Sequence, residues 1–237
     1  MKKHLVVLTG AGISAESGFS TFRDAGGLWD RYPVETVATP EGFENNPKLV
    51  LDFYRNLREQ LYAASPNAGH LGLVELEKDF HVDIITQNVD NFHERAGSKR
   101  VLHLHGELTK ICSSRSPNDP RFIRKLPPDA PYPKWGDLAP DGSQLRPFIV
   151  WFGEAVPEIE RAAEIVHSAD IFVVIGTSLN VYPAAGLLDE TRGNAKIFLI
   201  DPKPVAVRSR LPITTVREKA SVGVAKLIET LRNEYAS

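Results

Sequence analysis

Five short apolar segments constrain the fold of this chain more than any other feature. They are HLVVLTG (His4 to Gly10), Val82 to Thr86 within FHVDIITQNVD, RVLHLHGEL, ADIFVVIGTS and AKIFLIDPKP. Most are nearly continuous apolar runs, which is typical of strands buried on both faces, whereas RVLHLHGEL alternates. Helical patterns such as Ile159 to His167 separate them. We therefore predict an α/β fold, a doubly wound parallel sheet covered by helices on both faces.

Two segments do not follow this alternation of strands and helices. From Asn46 to Ala64, a segment with Pro47 near its start, apolar residues recur at helical spacing and predict an inserted helix: Leu49, Phe53, Leu57 and Leu61. The segment from Cys112 to Pro147 holds eight of the 17 prolines and little periodicity, so we expect an irregular excursion from the sheet.

Composition excludes several classes of function. The 28 basic and 30 acidic residues nearly cancel and form no basic stripe, so we expect no general nucleic-acid binding. No apolar stretch approaches the roughly 20 residues of a membrane span. Cys112 is the one cysteine, which excludes an internal disulfide and indicates a reducing compartment. We expect a cytoplasmic protein without membrane attachment.

A glycine-rich turn follows the first strand. Gly10, Gly12 and Ala15 satisfy the pattern G-x-G-x-x-A, in which the glycines allow a tight turn and a close approach to a pyrophosphate. A tight turn without a ligand is the alternative. The acidic residue expected about 20 residues later on a second strand is missing, because that region reads TFRDAGGLWDRYP.

Polar residues follow other strands at the edge where open α/β sheets bind ligands. Gln87, Asn88 and Asp90 can bind an amide or a ribose, and their number exceeds what helix capping needs. In VLHLHGE the leucines should pack inward and turn His103 and His105 toward a cleft. His105 precedes Gly106 and is the better candidate for a general base.

Two further segments have both a structural and a functional interpretation. Gly176, Thr177 and Ser178 suit phosphate or ribose hydroxyls, or form an ordinary capped turn. Val150, Trp151 and Phe152 precede Gly153 and Glu154; this run is either core or an exposed edge that pairs with a peptide.

Taken in order, these segments resemble the sirtuins, the NAD-dependent protein lysine deacylases. The matching stretches are GAGISAESGFSTFR, PNAGH, TQNVDNFHERAG, LHGEL, VWFGE and GTSLNVYPAAG, which span residues 9 to about 188. The resemblance implies a Rossmann-like large part at about 1–27, 68–108 and 148–237. It also implies a small inserted domain at about 28–67 and 109–147.

The resemblance further implies NAD as cofactor, an acyl-lysine protein as substrate, and nicotinamide and acyl-ADP-ribose as products. Gln87, Asn88 and Asp90 would hold the nicotinamide and its ribose, and His105 would act as general base. Phe22 and Arg23 would lie on a mobile loop over NAD, with Arg23 also in the catalytic set. The remaining cofactor-binding residues would be Gly10, Ala11, Gly12, Ser14, Ala15, Gly176, Thr177, Ser178, Asp201, Pro202, Lys203 and Ala220.

This chain departs from the family pattern in places. Asp201 stands where asparagine is usual, and Phe19 and Ser20 replace isoleucine and proline. Most sirtuins hold a structural zinc with four cysteines, but only Cys112 is present and no histidine lies between His105 and His167. We therefore expect no zinc, and a small domain held by packing of residues such as Trp135, Phe122 and Leu126.

The acyl pocket also departs from its nearest likeness, the bacterial class related to desuccinylases. That class has a tyrosine and, three residues later, an arginine that together hold the distal carboxylate of the acyl group. Here Tyr54 is followed by Leu57 at that position, while Arg58 is rotated about 100° around the helix. We expect an uncharged acyl group, such as acetyl, to be preferred over succinyl.

Two other functions remain open from the sequence. One is a NAD glycohydrolase or ADP-ribosyl transferase, and the other is a non-catalytic sensor of NAD or ADP-ribose. The peptide-binding run from Val150 to Glu154 beside His105 favours the deacylase.

Overall fold

The computed structural model describes residues 2–19, 32–207 and 209–235, which form two β-sheets with flanking helices. The strands are β1 (His4–Thr9), β2 (His81–Thr86), β3 (Val101–His103), β4 (Gly106–Ser113), β5 (Arg124–Lys125), β6 (Leu145–Ile149), β7 (Ile171–Ile175), β8 (Lys196–Ile200) and β9 (Ile213–Val216). The helices are α1 (Val34–Val37), α2 (Pro40–Asn45), α3 (Pro47–Ala63), α4 (Ala68–Leu76), α5 (Phe92–Ala96), α6 (Ile159–His167) and α7 (Ala220–Tyr235). Short 3₁₀ turns lie at Ala11–Ile13, Ala15–Ser17, Pro120–Phe122 and Ala184–Glu190.

The larger sheet is parallel, with the strand order β3-β2-β1-β7-β8-β9. Alternate residues of each strand enter two separate cores, as Leu5 and Val7 do on one face and Val6 and Leu8 on the other. Helices α4 and α7 cover the first face, and α6 with the turn Ala184–Glu190 covers the second. The prediction of a doubly wound α/β fold is confirmed.

The direction of winding reverses at β1. The chain adds β2 and β3 on one side of β1, and β7, β8 and β9 on the other. In open α/β sheets, ligands bind beyond the carboxyl ends of the strands at such a reversal. The crevice between the ends of β1 and β7 is therefore the expected binding edge.

The smaller, antiparallel sheet has the order β5-β4-β6 and packs against α3. Helix α3 confirms the predicted inserted helix, and Asn46 caps its start by accepting a hydrogen bond from Leu49 N–H at 3.1 Å. Its buried face includes Phe53, Tyr54 and Leu57.

The sequence pattern predicted that RVLHLHGEL forms one strand, but the segment contributes one strand to each of the two sheets. Strand β3 ends at His103, and β4 begins at Gly106. Gly106 has φ +79°, and a Cβ there would lie 2.2 Å from the carbonyl oxygen of Phe148. Glycine is therefore required where the chain leaves the parallel sheet and pairs with β6.

The structure decides between two interpretations of Trp151 and corrects the expectation about Trp135. Trp151 is core and not an exposed edge, since only 2% of it is accessible and its indole Nε1–H donates to the Tyr54 hydroxyl at 3.0 Å. Trp135 does not hold the small domain by packing, because 52% of it is exposed. Leu126 is buried and Phe122 is partly buried. No helix within the described ranges is long and apolar enough to cross a membrane.

Candidate active site

The glycine-rich turn after β1 lies directly against the end of β7. Gly12 N–H donates to the carbonyl of Gly176 at 2.8 Å, and a Cβ on Gly12 would lie 2.6 Å from the Cα of Gly176. A Cβ on Gly10 would lie 2.6 Å from the Cβ of Thr177. Both glycines are therefore required for two strand ends to approach each other, a reason that the motif alone did not reveal.

Up to residue 19, where this described range ends, the chain does not form the long helix that usually follows such a motif. The turns Ala11–Ile13 and Ala15–Ser17 are short 3₁₀ segments, and Gly18 at φ +72° ends the second. The proposed loop residues Ser20, Phe22 and Arg23 lie outside the described residues.

A buried polar cluster joins this turn to the end of β2. Ser14 donates to the Asp90 carboxylate at 2.8 Å, and the Asn88 amide donates to the Ser14 hydroxyl at 3.2 Å and to the Gly10 carbonyl at 3.1 Å. Three predicted site residues, Ser14, Asn88 and Asp90, are thus brought together by direct contact.

Asp90 also has the capping role considered as an alternative. Its second carboxylate oxygen accepts a hydrogen bond from Phe92 N–H at 3.1 Å, at the start of α5. Burial raises the pKa of Asp90, although the hydrogen bonds from Phe92 and Ser14 act in the opposite direction. One residue therefore fixes α5 and orients the buried cluster.

Gln87 connects the ends of β2 and β7. Its side-chain amide donates to the Thr177 hydroxyl at 3.2 Å, across the crevice at which the sheet reverses. The backbone carbonyl oxygen of Gln87 lies 2.9 Å from Nδ1 of His105. Gln87 therefore places the imidazole next to the sheet edge.

The contact with Gln87 decides the tautomer of His105. A carbonyl oxygen only accepts hydrogen bonds, so Nδ1 of His105 carries the proton and Nε2 carries the lone pair in the neutral ring. Burial lowers the pKa of His105, an effect that the bond to Gln87 partly offsets. The ring is therefore neutral near pH 7 and able to accept a proton at Nε2.

His103, two residues earlier, has a different environment. Its Nδ1 lies 3.1 Å from the Asn88 carbonyl, and its Nε2 lies 2.7 Å from the Glu94 carboxylate. Burial opposes protonation, but the Glu94 hydrogen bond and charge, with Glu107, raise the pKa of His103 overall. With a hydrogen-bond acceptor at each nitrogen, this ring is stabilised in its doubly protonated form, which is unsuited to the role of base.

The remaining predicted cofactor residues lie along the ends of β7 and β8 and at the start of α7. Thr177, Ser178 and Asp201 are partly buried, and Pro202 and Lys203 are exposed. Asp201 accepts a hydrogen bond from Lys203 N–H at 2.8 Å. Buried Ala220 begins α7, whose first turn donates from Ser221 to the Glu16 carboxylate near the glycine-rich turn.

The segment from Val150 to Glu154 extends from β6 beside His105. Val150 N–H donates to the His105 carbonyl at 3.0 Å, and Phe152 N–H donates to the Ala38 carbonyl at 2.9 Å. Glu154 forms a two-point ion pair with Arg146 at 2.7 and 2.9 Å. Phe152 is 47% exposed, next to Gly153 at φ +90°. The segment is therefore fixed from within and presents one aromatic side chain to solvent.

The proposed acyl-pocket residues of α3 differ in what they can offer. Leu57 is buried in the apolar core of the small domain. Arg58 is only 6% exposed, and its guanidinium donates to the carbonyls of Leu126, Pro127 and Ala130. Burial raises the pKa of Tyr54, so its hydroxyl stays neutral.

Sequence reasoning missed a pair of buried histidines behind the candidate site. His93 lies 3.0 Å from the Thr9 hydroxyl, which itself donates to Thr86 at 2.8 Å, and the ring centroid of His93 lies 4.9 Å from that of His70. Both histidines have apolar neighbours in the sequence, which is a weak signal of burial. The sequence alone does not distinguish a buried histidine from one on the exposed face of its helix.

The chain is similar to known proteins in both sequence and structure. The sequence profile described as Sir2 family matches residues 10–183. A protein from Bacteroides thetaiotaomicron named NAD-dependent protein deacylase is 63% identical, over 97% of this chain and 98% of its own length. One of the same name from Helicobacter pylori strain J99 is 50% identical, over 97% and 95%. The crystal structure of a Sir2 homolog–NAD complex superposes with a TM-score of 0.85 at 38% identity, covering 98% of this chain and 91% of that one.

Proposed function

Because the chain belongs to the Sir2 family, the sirtuins, we propose that it is an NAD-dependent protein lysine deacylase. In this reaction NAD supplies the ADP-ribosyl group that accepts the acyl group, and nicotinamide is released. The observation that carries the proposal is the neutral His105, held by Gln87 with its Nε2 lone pair available. It lies beside the cluster of Ser14, Asn88 and Asp90 at the ligand-binding edge of the sheet.

The side chains at this edge fit NAD. Gln87, Asn88 and Asp90 offer the amide and carboxylate groups that recognise a carboxamide and ribose hydroxyls. Gly176, Thr177 and Ser178, with Asp201 to Lys203 and Ala220, would hold the adenosine half. In this arrangement His105 would take a proton from a ribose hydroxyl. Phe22 and Arg23, which the family resemblance assigns to NAD binding, lie outside the described residues.

We propose that the substrate is a protein with an acylated lysine, and that Val150 to Glu154 guide its backbone to His105. The fixed conformation of this segment and the exposed ring of Phe152 support that role. A preference for an uncharged acyl group is supported by the burial of Leu57 and by the commitment of Arg58 to three carbonyls. An unpaired carboxylate in this pocket would cost several kcal/mol.

We also propose a small domain without zinc. Burial raises the pKa of the Cys112 thiol to about 12, which opposes the thiolate that zinc requires. In its place, Ser113 donates to Asp141 at 2.5 Å and contacts the Ser143 hydroxyl at 2.8 Å. The same Ser113 oxygen accepts from the N–H groups of Arg115 and Ser116, so one buried hydroxyl joins the two arms of the domain.

Cytoplasmic location, and the absence of membrane or general nucleic-acid partners, complete the proposal. The single buried cysteine supports a reducing compartment. The nearly balanced charge supports the absence of general nucleic-acid binding.

The test incubates the purified protein with NAD and acetyl-, butyryl- or succinyl-lysine versions of one peptide, and measures free peptide and nicotinamide by mass spectrometry. We expect nicotinamide release only with acylated peptide, in equal amount to the deacylated product. Nicotinamide release without peptide would indicate a glycohydrolase, and NAD binding without turnover of any peptide would indicate a sensor. Either result would overturn the proposal.

A further inference from the structure

A cluster of two histidines and one aspartate lies at the opposite edge of the parallel sheet from the candidate active site. His4 opens β1 and pairs in register with His81, the first residue of β2, and Asp83 follows on the same face. The Asp83 Oδ2 atom lies 2.8 Å from Nε2 of His4 and 3.1 Å from Nε2 of His81. Three potential ligand atoms therefore converge within 4.8 Å of one another.

The hydrogen-bond partners of His4 show that its contact with Asp83 requires a positive charge. Nδ1 of His4 faces the Ser168 hydroxyl at 3.1 Å and the Ser168 carbonyl at 3.4 Å. The hydroxyl donates its proton to the Ile165 carbonyl at 2.8 Å, so both Ser168 oxygens can only accept from Nδ1. Nδ1 therefore carries the proton, and in the neutral ring the Nε2 lone pair points at an Asp83 carboxylate oxygen. A positive charge between these two atoms, either a second proton on the ring or a bound cation, makes the contact favourable.

We propose that His4, His81 and Asp83 bind a divalent first-row transition-metal ion. Metal–nitrogen distances are about 2.0–2.1 Å, so two ligands at right angles around one ion lie about 3.0 Å apart, close to the observed separations. Metal-bound histidines commonly donate their second ring N–H to a hydroxyl or carbonyl, as His4 does to Ser168. The His81 side chain is 50% exposed, which leaves room for water to complete the coordination sphere.

The chemistry of the ligands selects the class of ion. Imidazole and carboxylate together suit Zn²⁺, Co²⁺, Ni²⁺ or Cu²⁺, whereas Ca²⁺ and Mg²⁺ prefer oxygen ligands. Among the residues that the structure describes, no other group of histidine, cysteine, aspartate and glutamate side chains converges in this way. The site is therefore distinct from the cysteine-based zinc site of other sirtuins, which would lie in the small domain.

Neighbouring charges set a limit on the affinity. Arg100 Nε lies 3.3 Å from the other Asp83 oxygen, Oδ1, and also donates to the Val82 carbonyl. Lys2 and Lys99 line the same cleft, with Glu77 as the opposing carboxylate. Arg100 leaves Oδ2 available, but this basic surrounding predicts weaker binding than in an all-thiolate zinc site.

The test titrates Co²⁺ into the full-length protein after removal of any affinity tag, and follows visible absorbance and calorimetric heat. We expect one Co²⁺ per chain, with affinity reduced about ten- to a hundredfold or more in His81→Ala and in Asp83→Asn. His167→Ala is the matched control, since His167 is also exposed but lies outside the cluster, and it should bind as the unmodified protein does.

Thermal unfolding gives a second readout that does not depend on catalysis. Co²⁺ or Zn²⁺ should raise the melting temperature of the unmodified protein and of His167→Ala, but not of His81→Ala. Equal Co²⁺ binding by the unmodified protein and His81→Ala, or no binding by either, would overturn the proposal and assign the bridging charge to a proton on His4. Circular dichroism of each variant verifies that the fold is retained.

Discussion

His103 and His105 lie two residues apart, yet their surroundings shift the pKa values of the two rings in opposite directions. The ring of His103 lies between the Asn88 carbonyl and the Glu94 carboxylate, which favour its protonated form. Among the described residues, the ring of His105 hydrogen-bonds to the Gln87 carbonyl alone and stays neutral. A general base must be unprotonated before it acts. His105 is therefore suited to that role, and His103 is not.

The first prediction follows from this division. His105→Ala should lower kcat for acyl-lysine turnover by about 10²–10⁴-fold or abolish it, because a general base typically contributes that much. NAD binding, measured by calorimetry, should persist. His103→Ala should be much milder, because its ring serves Glu94 and Asn88 and not the reaction. Equal loss of kcat in the two variants would show that the base is assigned to the wrong residue.

The second prediction concerns the acyl group. The unmodified protein should have a higher kcat/KM for acetyl- or butyryl-lysine than for succinyl-lysine, because Leu57 cannot pair a carboxylate. Leu57→Arg should raise activity on succinyl-lysine, since a guanidinium matches a carboxylate in two-point contact. Leu57→Met, which keeps the side chain uncharged, is the control and should retain the original order of substrates.

The structure identifies what would contradict this prediction. Arg58 Nε and the Tyr132 hydroxyl are buried without a hydrogen-bond partner among the described residues. If the unmodified protein preferred succinyl-lysine, these two groups would be the candidates for binding the distal carboxylate, and Tyr132→Phe would then reduce that activity selectively.

The third prediction concerns the polar junction of Ser113, Asp141 and Ser143. Ser113→Ala should lower the unfolding free energy by about 1–3 kcal/mol, because it removes the hydrogen bonds of a buried hydroxyl, one of them to the Asp141 carboxylate. Ser116→Ala is the matched control: Ser116 contributes its backbone N–H to this junction, which the substitution leaves in place. Chemical denaturation of both variants measures the difference. One tightly bound zinc per chain in the small domain, found by elemental analysis and retained in His81→Ala, would contradict the zinc-free proposal.

The parts of the fold that depend on local pattern were predictable from the sequence. The apolar runs of β1, β7 and β8 and the helical spacing of α3 each identify one element without reference to the rest of the chain. The edge strand β9 was missed, because ITTV is short and none of its four residues is fully buried. The candidate site was predictable in outline because strand ends of a parallel sheet meet at one edge.

Contacts between distant segments were not predictable. Trp151 is buried by a partner 97 residues away, Tyr54, and the Ser113–Asp141 bond spans 28 residues. The direction in which each side chain points at such a contact depends on how the small domain packs. The split between β3 and β4 likewise depends on the conformation of Gly106, which the alternation of leucine and histidine does not reveal.

The buried histidines His70 and His93 lead to a prediction about pH. Asn67 N–H donates to Nδ1 of His70, so His70 Nε2 carries a proton that has no partner in the described structure. His93 Nε2 donates to Thr9, which leaves its Nδ1 lone pair also without a partner. Burial lowers the pKa of His70 to about 4, and burial together with the nearby histidines lowers that of His93 well below its usual value.

The last prediction is that stability falls as the pH decreases from about 6.5 toward 4. In this range the unfolded chain binds protons at both histidines while the folded chain does not, so the unfolding free energy decreases by up to about 1.4 kcal/mol per pH unit for each. Above pH 6.5 this contribution is fully present. His70→Gln should reduce the slope, and His167→Gln, at an exposed histidine, should leave it unchanged. Urea unfolding between pH 4 and 8 measures all three proteins. Parallel curves for the unmodified protein and His70→Gln would show that His70 is protonated as readily in the folded chain as in the unfolded one.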